Sequence, residues 1–65
     1  MKVGEIWHDK KYKVDVEIMG ISWDEKQNDE WIIVTYLEHA CDDIPEGDTI
    51  YILRTGFLKE YYKVR

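Results

Sequence analysis

A single cysteine, Cys41, and a single proline, Pro45, are the first constraints in this chain of 65 residues. One thiol excludes a disulfide within the chain, and no Cys-x-x-Cys spacing of the kind that builds structural zinc sites is present. Long apolar runs are missing too. The longest, "WIIVTYL", begins at Trp31 and falls far short of the ~18 residues a membrane span requires. Basic residues are the minority: nine Lys and Arg stand against fourteen Asp and Glu, a net charge of −5. Phosphate neutralisation supplies nearly all non-specific nucleic-acid affinity, so direct nucleic-acid binding is not expected. The one basic cluster, Lys10, Lys11 and Lys13, is flanked by Asp9 and Asp15. No secretory leader follows Met1, and with one unpaired thiol the expected setting is cytoplasmic.

What the chain does hold is aromatic bulk: three Trp, five Tyr and one Phe. A domain this short buries only about 60% of the surface its unfolded form exposes, and large rings fill a thin core efficiently. Some of the nine are therefore expected to stay partly exposed. No window carries the i, i+3, i+4, i+7 spacing of an amphipathic helix. Alternation of β-branched and aromatic residues with charge dominates instead, most clearly in "YKVDVEIMGISW" from Tyr12 to Trp23. There the apolar residues occupy even positions up to Ile18, then odd ones at Ile21 and Trp23. A strand that turns its apolar face over must bend, and a glycine or bulge commonly allows it. Gly20 sits at the inversion.

The remaining signals complete an all-β chain. "VGEIW" and the "HDKKY" turn precede the long strand, and the polar "DEKQND" reads as a hairpin loop. "WIIVTYL" is apolar on both faces, and "EHACDDIPEGD" is a long loop punctuated by Pro45 and Gly47. "TIYILR" is a short strand broken by Gly56, and "FLKEYYKV" reads as one helical turn leading into a last strand. The expected architecture is one domain, residues 1–65: a small five-stranded SH3-like barrel with a strongly bent second strand. A three-stranded meander with a helix is the competing arrangement.

Chemistry-bearing clusters are few. "EHACDD" offers Glu38, His39, Cys41, Asp42 and Asp43, yet no second ligand pair accompanies it, so neither metal nor cofactor is expected. Acids beside Cys41 would raise its thiol pKa, the reverse of nucleophile activation, and an enzyme is not expected. Acid next to aromatic is the more productive combination. Residues 24–30 carry four acids against Lys26, and residues 38–48 carry five with no Lys or Arg. If both loops share one end of the barrel, Trp23, Trp31, Tyr36, Asp42 and Asp43 form an acidic, aromatic-flanked surface suited to a basic peptide or protein. That makes the chain a non-catalytic interaction module. The alternative is a small acidic phage-type inhibitor that mimics nucleic-acid charge to block a nucleic-acid-binding enzyme. A homodimer through "TIYILR" or the C-terminal strand is a further expectation.

The stretches "VGEIWHDKKYKVDVEIMGI", "WIIVTYLE" and "YILRTGFLKEYYKV" together resemble a family of short uncharacterised prokaryotic and phage domains. An opening glycine and aromatic, a "Y-x-V" strand, a "V-V-Y" strand and an "R-P-L-x-x-F-L" segment mark that family. Gly4, Tyr12, Val14, Val34, Tyr36, Arg54, Phe57 and Leu58 hold the matching places, with Thr55 where the family carries proline. The resemblance implies an SH3-like barrel and carries no activity with it.

Overall fold

The computed structural model describes residues 1–65. Its elements follow one another as β1 (Ile6–Asp9), β2 (Val14–Asp24), β3 (Asp29–Tyr36), β4 (Thr49–Leu53), α1 (Arg54–Glu60) and β5 (Tyr61–Lys63). All strand pairings are antiparallel, in the spatial order β4-β3-β2-β1-β5. The chain is mostly strand, as its alternation predicts. No helix is long and apolar enough to cross a membrane.

Closure is where the structure departs from the expected barrel. β4 and β5 end the sheet and pair with no further strand, so the sheet is open. Two features account for this. β5 spans only three residues and spends one edge on β1, and α1 lies between β4 and β5 in the chain and packs against both. The helix is also longer than the single turn expected. It begins at Arg54, directly after β4, and takes in Gly56, whereas the expected turn lies after that glycine, from Phe57 on. No residue at its start supplies a capping side chain. Asp29 of β3 takes that role from outside, its Oδ2 accepting from the Thr55 N–H at 3.1 Å and the Thr55 hydroxyl at 2.8 Å.

The bend in β2 lies where the sequence places it, with a different residue responsible. Ile18 faces Val34, and the next pair is Gly20 with Ile33, so Met19 is the extra residue of a β-bulge. Val14, Val16 and Ile18 are buried before the bulge, and Ile21 rejoins the same face opposite Ile32 after it. The strand begins at Val14, later than expected. Tyr12 belongs to the preceding turn, where Lys13 adopts a left-handed φ of 58°.

One face of the sheet makes the core. Trp7, Val14, Val16, Ile18, Ile32, Val34, Tyr36 and Tyr61 gather on it, and Phe57 of α1 closes over them. Phe57 lies between Trp7 and Tyr61, its centroid 4.9 Å from the first ring and 4.5 Å from the second. Burying an apolar side chain of this size contributes about 1.5–3 kcal/mol. The opposite face is mixed. His8 bonds Asp15 at 2.8 Å and lies 5.1 Å from the Tyr62 ring, while Thr35 and Thr49 pair through their hydroxyls.

Candidate functional site

The most organised polar feature starts from a turn. Asp9 closes β1, and its Oδ1 accepts from the backbone N–H groups of Lys11 (2.8 Å) and Tyr12 (3.2 Å). Its own carbonyl accepts from Lys13 N–H at 2.7 Å. This is the local bonding for which aspartate is favoured in turns. The other carboxylate oxygen, Oδ2, is left to face the core side of the sheet.

There Oδ2 accepts from the Tyr36 hydroxyl at 2.6 Å, and the Tyr36 and Tyr61 hydroxyls are also 2.6 Å apart. A hydroxyl carries one proton. Since Tyr36 gives its proton to Asp9, Tyr61 must be the donor in the second bond. All protons of the chain Tyr61–Tyr36–Asp9 therefore run toward the carboxylate. Asp9 is 3% exposed, and none of the ion pairs in the structure includes it. Its charge is met by neutral donors alone. Burial, with the neighbouring carboxylate and hydroxyl, holds Tyr36 well above the ordinary tyrosine range. Burial likewise pushes Tyr61 up to about 12.

This network forms part of the wall of a pocket of about 330 Å³. Tyr12 and Lys11 come from the β1–β2 turn, Ile44 from the β3–β4 loop, Ile50 and Ile52 from β4, and Glu60 and Tyr61 from the junction of α1 with β5. The pocket occupies the gap the open sheet leaves between its two outer strands. Isoleucine side chains and tyrosine rings make up most of its wall, with Asp9, Lys11 and Glu60 as its charged members, the mainly apolar make-up usual for a small-ligand or side-chain site. The Lys11 ammonium stands 5.1 Å from the Tyr12 ring centroid at its edge.

The residues proposed from sequence divide among three places. Trp23 lies on the core-side face beyond the bulge, opposite Glu30, and is 58% exposed. Trp31 pairs with Ser22, the next position along the ladder, and so projects from the opposite face. Its indole N–H donates to Asp24 Oδ2 at 2.8 Å, which with the Gln27 and Lys26 N–H groups holds the Asp24 carboxyl below its usual range. Tyr36 is in the core at 1% exposure, where it cannot serve as the surface contact expected of it. Asp42 and Asp43 are exposed at the tip of a tight turn closed by the Cys41–Ile44 bridge.

The shared acidic rim is therefore not formed. The loop before β3 and the loop after it lie at opposite ends of an eight-residue strand, roughly 24 Å apart at a rise of about 3.4 Å per residue. "EHACDD" does not assemble a ligand set either: no three His, Cys, Asp or Glu side chains converge in a way that could hold a metal ion.

Asp9, Tyr12, Ile44, Ile50, Ile52 and Tyr61 escaped sequence reasoning as site residues. Asp9 carried a turn signal and nothing more, while its bond to Tyr36 spans 27 residues of chain and the bond from Tyr36 on to Tyr61 spans another 25. Comparison with family models, curated proteins and solved structures finds no match for this chain.

Proposed function

We propose that the chain is a non-catalytic, SH3-like protein-interaction module that binds its partner through the pocket between β4 and β5. The pocket is the observation that carries this reading: 330 Å³, walled by Tyr12, Ile44, Ile50 and Ile52, and open at the one place where the sheet has no strand. Volumes at the lower end of the ~300–1,000 Å³ range suit one or two side chains of a partner. The bordering strand β4, "TIYIL", supports the reading as well. It carries no charge, no proline and no bulge, the devices that keep edge strands from pairing with other chains. The consecutive antiparallel strands, the bulge in β2 and the helix before β5 support the SH3-like description. The charge-mimic alternative asks for one continuous acidic array, whereas β3 holds the two acidic loops apart.

Selection from a random peptide library, followed by mapping of backbone amide shifts, tests the proposal. Selected peptides are expected to shift the amides of Tyr12, Ile44, Ile50 and Tyr61, and Ile44→Asp in the loop to abolish binding while the rest of the spectrum stays folded. Peptides that bind only on the outer sheet face, or binding untouched by Ile44→Asp, would overturn it.

A further inference from the structure

Resting on that reading, we infer that the pocket takes a lysine side chain of the partner, its alkyl stem against the isoleucines and its ammonium toward Tyr61 and Asp9. The direction of the protons is the first argument. Tyr61 donates inward to Tyr36 and Tyr36 donates inward to Asp9, so what the network leaves free on the pocket side is the acceptor capacity of the Tyr61 oxygen. A group reaching it must bring a proton. Charge is the second. The wall holds two carboxylates, Asp9 and Glu60, against one ammonium, Lys11. Of these Asp9 is buried with no cation beside it. A cation entering the pocket is attracted, and an anion is repelled by a charge that water screens poorly.

The shape of the walls selects among cations. Tyr12 and Tyr61 offer ring surface, and ammonium groups are favoured over tyrosine faces. The chain itself shows the contact at the pocket edge, where Lys11 Nζ stands over Tyr12. A guanidinium would bring five donors in a rigid plane to a wall whose free acceptors include only the Tyr61 oxygen at its inner end and the Glu60 carboxylate at its exposed rim, an arrangement that cannot pair all five. An ammonium on a four-carbon stem asks for less and covers Ile44, Ile50 and Ile52 with methylene groups.

The test uses the full chain, labelled with nitrogen-15, and three probes of equal length: n-butylammonium, n-butanol and n-butyrate. Butylammonium is expected to give saturable shifts at Tyr12, Ile44, Ile50, Ile52 and Tyr61, with affinity about tenfold above butanol, the size of one desolvated cation–π contact, and butyrate to give none. Glu60→Gln, at an exposed position, should weaken the ammonium alone, whereas Tyr61→Phe, checked for fold by the same spectrum, removes the acceptor and should weaken butylammonium and butanol together. Butanol binding as tightly as butylammonium, butyrate binding, or no probe shifting these amides would each overturn the inference. The module reading fails separately. Library peptides that dock on the pocket and keep their affinity when lysine becomes norleucine would sink the lysine and leave the module standing.

Discussion

Tyr36→Phe removes one oxygen atom and tests the whole Asp9 network. The ring is unchanged, so no cavity forms and the transfer free energy of the side chain is nearly preserved. Two bonds are lost. The first, 2.6 Å to the Asp9 carboxylate, is a hydrogen bond to a charged group, worth about 1.5–3 kcal/mol. The second leaves the Tyr61 hydroxyl without its acceptor, at about 1 kcal/mol. Together they predict a loss of about 3 kcal/mol, a large share of the roughly 3–10 kcal/mol expected for 65 residues. In a thermal scan this is a fall of roughly 12–24 °C. Tyr61→Phe breaks only the outer bond and should cost about 1 kcal/mol. The double variant should cost no more than Tyr36→Phe alone, because the first change has already orphaned the second hydroxyl. Urea unfolding followed by tryptophan fluorescence, with m unchanged, measures all three. Additive costs, or a Tyr36→Phe cost below about 1 kcal/mol, would refute the proton order assigned to the chain.

Other consequences can be measured on the same protein. Phe57→Ala opens a hole between Trp7 and Tyr61 and should cost about 3–5 kcal/mol, enough to leave the domain largely unfolded at 37 °C by circular dichroism. Gly20→Val meets Ile33, whose Cδ1 would lie 3.2 Å from the new Cβ, and should cost about 1 kcal/mol. Pairing it with Ile33→Val should recover most of that loss, and no recovery would mean that the strand and not the contact is at fault. Alkali should unfold the protein for a specific reason. Tyrosines ionise near ~10 in the unfolded chain, whereas Tyr61 is pushed up to about 12 and Tyr36 is raised further, so their stabilisation is complete below ~10 and is lost as pH rises toward 12 and beyond. Urea midpoints should decline over that window, less steeply in Tyr61→Phe; a flat profile counts against burial of these hydroxyls.

How much of this was legible in the sequence varies with the range of the interaction. Alternation is local, and it announced β2 and even the point where that strand bends, while short apolar runs between turn residues announced β3 and β4. It could not say whether Met19 or Gly20 made the bend, since both an added residue and a flexible one move the apolar phase by one. Helix α1 was understated because its seven residues hold one buried side chain, Phe57, and no periodic pattern. The candidate site was almost invisible. A rim of acid and aromatic looked continuous along the chain, but β3 carries its halves to opposite ends, and pleating sends Trp23 and Trp31 to opposite faces. Asp9, Tyr36 and Tyr61 come from three distant segments, and composition holds no trace of their meeting.

The pairing of β1 with β5 has a consequence for how such a domain could be used. Ile6 N–H donates to the Arg65 carbonyl at 2.7 Å, and Val64 N–H donates to the Ile6 carbonyl at 2.8 Å. Residues 6 and 65 thus meet at one corner, a hydrogen bond apart. A unit with this geometry can be spliced into a surface loop of another protein without prising that loop open, the situation in which domain insertion and circular permutation succeed. The exposed hairpin tip from Glu25 to Asn28 is the natural place for new ends, because cutting there severs a turn and leaves every strand whole.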